Sequence, residues 1–66
     1  KPSEIIGIGD GGNDYQFIKL AGYGIALGQA PEEVKRIADY VTDKTYAQGF
    51  LEAAEHIRIT MRRNVM

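Results

Sequence analysis

The stretch that decides the fold is residues 4–14, which reads EIIGIGDGGND. Residues 4–8 form a short run with the β-branched residues Ile5, Ile6 and Ile8, and the run stops at a glycine cluster, which predicts a buried β-strand. Residues 9–12 predict a loop that needs unusual backbone freedom. Because ligands of open α/β sheets bind beyond the carboxyl ends of the strands, we expect the carboxylates of Asp10 and Asp14 to lie at a ligand site.

The residues after this loop predict a helix and a second strand. Residues 13–21 form the helix, with Asn13 and Asp14 as good starting residues and with an apolar face at Phe17, Ile18, Leu20 and Ala21. Gly22 is expected to end this helix as a left-handed cap. Residues 23–27 are apolar, are closed by a glycine, and predict the second strand.

The remaining residues predict a short helix, a brief strand and a long helix. Pro31 marks the first turn of the short helix, and residues 40–42 are a β-branched strand. Residues 47–64 predict an amphipathic helix with apolar residues at Phe50, Leu51, Ala54, Ile57, Met61 and Val65. The order β-α-β-α-β-α with short connections is typical of an α/β fold with a parallel sheet covered by helices.

Composition limits the chemistry that the chain can perform. There is no cysteine and a single histidine, His56, which we expect to face solvent, so a metal must be a hard cation held by carboxylate and amide oxygens. The net charge of −1 and the lack of a basic stripe give no sign of nucleic acid or an anionic membrane as partner. Without a long apolar run or a signal peptide, we expect a cytoplasmic protein.

Length limits the architecture. A chain of 66 residues buries only about 60 % of the surface that its unfolded form exposes, so an independent fold would be marginal. Parallel sheets are normally buried on both faces, which three short strands do not achieve alone. We therefore expect residues 1–66 to be an incomplete core that belongs to something larger.

A dinucleotide site is the first alternative for the glycine loop. Gly7, Gly9 and Gly12 satisfy the pattern G-x-G-x-x-G between a strand and a helix. Asp10 would then repel the pyrophosphate, and no acidic residue ends the second strand where the ribose needs one. A calcium-binding EF-hand loop is disfavoured too, because its alternating carboxylates are absent.

The same loop carries a family resemblance. Residues 9–14 resemble the fourth motif, GDGxND, of haloacid dehalogenase-like (HAD) phosphatases. Residues 21–30, AGYGIALGQA, resemble the family's AGxGVAMGNA, with Leu27 and Gln29 in place of the commoner methionine and asparagine. Residues 34–42 resemble VKxxADYVT, and residues 49–51 resemble the step that opens the last helix. The matches follow in order over nearly the whole chain and are most similar to the Cof-type sugar-phosphatase branch.

The resemblance implies a fold and a set of site residues. The fold would be the C-terminal part of the Rossmann-like three-layer α/β/α HAD core. Asp10 would be a direct Mg²⁺ ligand, and Asp14 would support the metal through water or orient a lysine of another motif. Asn13 would contact the transferring phosphoryl group, and Gly11 would belong to the same phosphate-binding site. The alternatives are a turn residue for Asp10 and a helix N-cap for Asn13.

The resemblance also shows which parts the chain lacks. The family's nucleophile motif DxDx(T/V), its phosphate-binding Ser/Thr and its lysine all precede this segment, and Lys1 is too close to the loop to be that lysine. We therefore expect residues 1–66 alone to be inactive, and the catalytic aspartate to lie outside them.

The resemblance implies part of a Mg²⁺-dependent phosphatase that acts on small phosphomonoesters, such as sugar phosphates, through an aspartyl-phosphate. Its partners would be a small phosphorylated metabolite and the remainder of the HAD core. Two alternatives are a non-catalytic module or split subunit of the same fold, and a phosphorylation-domain fragment of a P-type ATPase, which the tail after Asp39 disfavours.

Overall fold

The computed structural model describes residues 5–65, with side chains described for residues 5–60. The elements are β1 (Ile6–Gly9), a 3-10 turn (Gly12–Asp14), α1 (Tyr15–Leu20), β2 (Tyr23–Ala26), α2 (Glu32–Ile37), β3 (Tyr40–Val41) and α3 (Tyr46–Val65). Every predicted strand and helix is present, with ends shifted by one or two residues, as is usual for element boundaries. Glu4, the predicted start of the first strand, lies outside the described residues.

The three strands form one parallel sheet in the order β1-β2-β3. Ile8 is paired with Ile25, and Ala26 is paired with Val41. Both strand connections run through a helix and step in the same direction across the sheet. Right-handed crossovers therefore place α1 and α2 on the same face. The prediction of a parallel α/β fold is confirmed.

Two apolar clusters lie on opposite faces of the central strand β2. Ala26 faces α1 and α2, where it packs with Ile18 and Val34. Its neighbour Ile25 points the other way and packs with Ala53 of α3. Alternate side chains of a strand point to opposite faces, so β2 is buried on both sides. The result is a three-layer arrangement of α1 and α2, the sheet, and α3.

The glycines of β1 serve close packing, and not an unusual backbone. A Cβ on Gly7 would lie 2.9 Å from Cε2 of Phe17, and a Cβ on Gly9 would lie 2.6 Å from Cβ of Asp14. None of the described glycines has a positive φ. The prediction that residues 9–12 need unusual backbone freedom is therefore wrong. The left-handed cap at Gly22 is wrong for the same reason. Helix α1 instead ends at Ala21 in an extended conformation, with φ −69° and ψ 150°.

The inward face of α3 differs from the predicted one. Gly49 and Ala53 are buried and Ile57 is half-buried, whereas Phe50 and Leu51 are 53 % and 67 % exposed. Ala54 is exposed too, and the side chains of Met61 and Val65 lie outside the described ones. The small residues face inward because the helix start lies close to the loop before it. A Cβ on Gly49 would be only 2.6 Å from the Lys44 carbonyl oxygen.

The prediction that His56 faces solvent is also wrong. Its ring stacks on Tyr40 with centroids 3.8 Å apart, and on Tyr23 at 5.8 Å. Its Nε2 and the Tyr23 hydroxyl are hydrogen-bonded at 2.7 Å. The ring therefore fastens α3 to β2 and β3. Within residues 5–65, none of the helices is long and apolar enough to cross a membrane.

Candidate functional site

Three loops meet at the carboxyl edge of the sheet, as expected for parallel strands. The loop after β2 is tied to the loop after β3, because the Gly28 N–H lies 2.9 Å from Oγ1 of Thr42 and 3.2 Å from the Lys44 carbonyl oxygen. The Leu27 N–H donates to the Gly9 carbonyl oxygen at 3.0 Å, which joins the loop after β2 to the last residue of β1. The edge that carries the acidic residues is therefore hydrogen-bonded throughout.

The acidic loop, residues 10–14, is closed by the carboxylate of Asp14. Its Oδ2 accepts the N–H of Asp10 at 3.1 Å and the N–H of Gly11 at 3.2 Å. The Asp14 N–H donates in return to the Gly11 carbonyl oxygen at 3.0 Å. An ionised carboxylate strengthens the hydrogen bonds that it accepts, so Asp14 fixes the loop from within.

Asp10 is exposed at the end of β1, and its Oδ2 accepts a hydrogen bond from Nε2 of Gln29 at 3.2 Å. Asn13 is exposed in the 3-10 turn, beside Asp14. A Cβ on Gly11 would meet no heavy atom within 4 Å, so open space lies above the loop. The structure thus brings all the predicted site residues into one loop.

The donor set fits part of a Mg²⁺ site. Within the described residues, no group of three or more His, Cys, Asp or Glu side chains could hold a metal ion. Mg²⁺ typically binds one or two protein carboxylates and completes its octahedron with waters and substrate phosphate. The exposed Asp10 carboxylate matches this need, and Asp14 stands next to it with one oxygen already held by the loop. The metal roles of Asp10 and Asp14 and the phosphate roles of Asn13 and Gly11 stay predictions.

A second polar cluster lies between β3 and α3 and does not include the acidic loop. It borders an open depression of about 320 Å³ lined by Tyr40, Lys44, Glu52, Glu55, His56 and Ile59. The carboxylate of Glu52 accepts the Lys44 N–H at 3.0 Å and the Tyr40 hydroxyl at 2.8 Å. These bonds, the Lys44 one first, lower the pKa of Glu52, and the bond to Glu52 raises the pKa of Tyr40. The cluster holds the β3–α3 loop against the helix.

Sequence reasoning missed Gln29 and Thr42 at the site edge. Thr42 directly follows β3, and Gln29 lies three residues after the end of β2, in the loop that leaves that strand. Polar side chains at the carboxyl ends of parallel strands converge on one edge, so this position was a usable signal.

The sequence profile described as haloacid dehalogenase-like hydrolase matches residues 1–53. The chain belongs to this family, and the resemblance drawn from the acidic loop is confirmed. Among curated relatives, a phosphoglycolate phosphatase of Natronomonas pharaonis is 46 % identical over 57 residues, covering 86 % of this chain and 25 % of the relative. A phosphoglycolate phosphatase of Methanospirillum hungatei is 46 % identical over 52 residues, covering 79 % of this chain and 22 % of the relative. The chain thus spans about a quarter of the length of these relatives.

Solved structures agree with the family. A haloacid dehalogenase-like hydrolase from Bacteroides thetaiotaomicron superposes with a TM-score of 0.78 at 49 % identity, over 86 % of this chain and 21 % of that protein. A phosphatase of the HAD superfamily from the same organism gives a TM-score of 0.77 at 46 % identity, over 89 % of this chain and 22 % of that protein. The Rossmann-like HAD fold predicted for the chain is therefore confirmed.

Proposed function

We propose that residues 1–66 supply the Mg²⁺-binding acidic loop of a phosphatase that hydrolyses small phosphomonoesters through an aspartyl-phosphate intermediate. The nucleophilic aspartate would come from the remainder of the HAD core, which this chain does not contain. The observation that carries the proposal is the exposed Asp10 carboxylate at the carboxyl end of β1, in a loop that Asp14 holds in place. The phosphatases among the family members above support the reaction class.

Asp10 would be the direct metal ligand. Its carboxylate is exposed, and Gln29 donates a hydrogen bond to one of its two oxygens. Bound there, Mg²⁺ would supply neutralisation of charge on the phosphoryl oxygens, which is the main requirement of phosphoryl transfer. The chain's own part is to hold that carboxylate at the edge of the sheet.

Asp14 would act on the metal indirectly. Its Oδ2 already accepts two backbone N–H groups, so it serves first to fix the loop that presents Asp10. Asn13 offers an amide donor, and Gly11 leaves room above the loop, because a Cβ there would meet no heavy atom within 4 Å. Both features suit the approach of a phosphoryl group.

The remainder of the core would pack beside β1. In the part of the chain that the structure describes, β1 is an edge strand with one free side. The ring of Phe17 lies against Gly7 of this strand and is still 50 % exposed. On α3, Phe50 and Leu51 are more than half exposed. Exposed large apolar side chains, together with an unpaired sheet edge, favour burial by further strands and helices.

The proposal is tested in the full-length protein that carries this chain together with its nucleophile motif. Wild type should hydrolyse para-nitrophenyl phosphate, and phosphoglycolate as the first natural candidate, only with Mg²⁺ added. Asp10→Asn should lower kcat at least about 100-fold, because a ligand to the charge-neutralising metal is lost. Isothermal titration with Mg²⁺ alone should show the same variant failing to bind the ion.

A matched control removes a carboxylate charge elsewhere. Glu55 is exposed on α3, nine residues beyond the helix start and thus roughly 14 Å along its axis. Glu55→Gln should leave Mg²⁺ affinity and kcat at the wild-type level. Mg²⁺-dependent turnover by Asp10→Asn at the wild-type rate would contradict the metal role, and turnover by residues 1–66 alone would contradict the need for an external nucleophile.

A further inference from the structure

Gln29 joins the acidic loop to the first residue of α3. Its Nε2 donates to Oδ2 of Asp10 at 3.2 Å, and its Oε1 accepts the N–H of Tyr46 at 2.9 Å. A carboxylate oxygen only accepts and a backbone N–H only donates, so the two partners decide which end of the amide faces each. Both the nitrogen and the oxygen of this half-buried amide are therefore hydrogen-bonded.

Tyr46 makes the second contact of Gln29 informative. It is the non-glycine residue with a positive φ, 52°, among those that the structure describes. A bulky residue adopts this conformation only where its surroundings hold it there. The Gln29 carbonyl oxygen is one such restraint, because it binds the Tyr46 N–H directly. The amide thus spans from a strained helix start to the exposed carboxylate.

The backbone beside Gln29 is anchored as well. The Gly28 N–H is bound by Oγ1 of Thr42 and approached by the Lys44 carbonyl oxygen. A Cβ on Gly28 would lie only 2.7 Å from that carbonyl oxygen, so no larger residue fits without movement. With its backbone fixed and both ends of its amide bound, Gln29 reaches Asp10 from a defined position.

We propose that Gln29 is a positioning residue for Asp10 and sets the orientation of its carboxylate for Mg²⁺. This inference rests on the metal role of Asp10 proposed above. The last torsion of an aspartate side chain is broad, and a donor on Oδ2 restricts it. Hydrogen bonds to a metal-ligating carboxylate from neighbouring groups typically change metal affinity by about 10- to 100-fold. Gln29 is such a group, and it links the metal ligand to the start of α3.

The first measurement needs no metal and tests the hydrogen bonds themselves. In the metal-free full-length protein, Gln29→Met keeps the length of the side chain and removes its donor and its acceptor. Amide hydrogen exchange at Tyr46 should become about fivefold faster, as expected for the loss of one hydrogen bond. Gln48→Met makes the same change at an exposed position of α3 and should leave this rate unchanged.

The second measurement tests positioning. By isothermal titration without substrate, Gln29→Met should bind Mg²⁺ about tenfold more weakly than wild type, while Gln48→Met binds it equally well. At saturating Mg²⁺, the substrate KM of Gln29→Met should equal that of wild type, because Gln29 acts through Asp10 and not on the substrate. Far-UV circular dichroism verifies that each variant is folded.

The outcomes separate this inference from the proposed function. If Asp10→Asn loses Mg²⁺ binding but Gln29→Met binds as wild type does, the positioning role is overturned and the metal role of Asp10 stands. If Asp10→Asn itself binds Mg²⁺ normally, the proposed function fails and this inference with it. Faster exchange at Tyr46 together with unchanged Mg²⁺ affinity shows that Gln29 only braces α3, which also overturns the positioning role.

Discussion

Replacing Gly9 with alanine is expected to push Asp14 out of its place in the acidic loop. A Cβ on Gly9 would lie 2.6 Å from Cβ and 2.9 Å from Oδ2 of Asp14. Ordinary van der Waals contact begins at 3.4 Å, so Asp14 must retreat by 3.4 − 2.6, or about 0.8 Å. The hydrogen bonds from Oδ2 to the N–H groups of Asp10 and Gly11 already measure 3.1 Å and 3.2 Å, and a shift of this size breaks them.

The magnitude follows from the bonds lost. A hydrogen bond to a charged group contributes about 1.5 to 3 kcal/mol, and less where water can replace the partner, as in this largely exposed loop. Two such bonds at about 1 kcal/mol each, with about 1 to 2 kcal/mol of overpacking strain, lower the free energy of unfolding by about 3 to 4 kcal/mol. Mg²⁺ affinity should fall as well, because the backbone N–H of Asp10 loses its acceptor on Asp14 and Asp10 is then held less firmly.

Gly12→Ala is the matched control. A Cβ on Gly12 would meet no heavy atom within 4 Å, and its φ is not positive. Alanine at such a position restricts the unfolded chain and stabilises by about 0.4 to 1 kcal/mol. Urea unfolding of the full-length protein, monitored by circular dichroism, compares the two variants. Equal stability of Gly9→Ala and Gly12→Ala would refute the reasoning, since the loop would then not depend on the position of Asp14.

Two further predictions concern the contacts that fasten α3. His56→Ala should lower the free energy of unfolding by about 2 kcal/mol, because it removes a stacked ring and a hydrogen bond. Tyr23→Phe removes the hydrogen bond alone and should lower it by about 1 kcal/mol. Urea unfolding measures both variants, and equal losses would contradict a role for the stacking of His56 on Tyr40. The hydrogen bond from the Lys44 N–H holds the pKa of Glu52 below its ordinary value of 4.5. As the pH falls, the unfolded chain therefore takes up the proton before the folded chain does. The stability that the ionised Glu52 contributes is present above the unfolded-state pKa and is lost as the pH falls through the folded-state pKa. Glu52→Gln should therefore lose less stability on acidification than wild type, as measured by urea unfolding at a series of pH values below neutral. The same dependence of the free energy of unfolding on pH in both proteins would contradict a stabilising role for the Glu52 carboxylate.

The position of the candidate site was predictable from sequence, because it depends on local patterns. A β-branched run stopped by glycines predicts a strand, and acids directly after it must lie at the carboxyl edge of a parallel sheet. Asp10 and Asp14 follow from this argument alone. The wrong prediction of an unusual backbone conformation at Gly9 shows the limit of arguing from local patterns. A glycine in a loop suggests unusual dihedral angles, while the structure uses its lack of a side chain to admit Asp14.

The inward face of α3 was not predictable from periodicity. Spacing places Phe50 and Leu51 in an apolar stripe, and such a stripe normally faces the core. The helix instead turns Gly49 and Ala53 toward the sheet, because the β3–α3 loop approaches too closely for a larger residue at Gly49. His56 escaped prediction for a related reason. Its partner Tyr23 is 33 residues away in sequence, and no local pattern reports such a contact.

Within residues 5–65 one side of β1 is unpaired, so a second segment could complete the site proposed above. The Asp14 carboxylate accepts the N–H of Asp10, and the Gln29 amide donates to the Asp10 carboxylate, so residues of this chain hold Asp10 in place. A further strand paired in parallel with β1 would lie about 4.8 Å away and end at the same edge of the sheet. An aspartate at the end of that strand would stand beside Asp10, where one phosphoryl group could meet both the nucleophile and the metal. The pairing that buries the edge of β1 would thus also complete the site, so folding of the remaining core and assembly of the catalytic centre would be a single event.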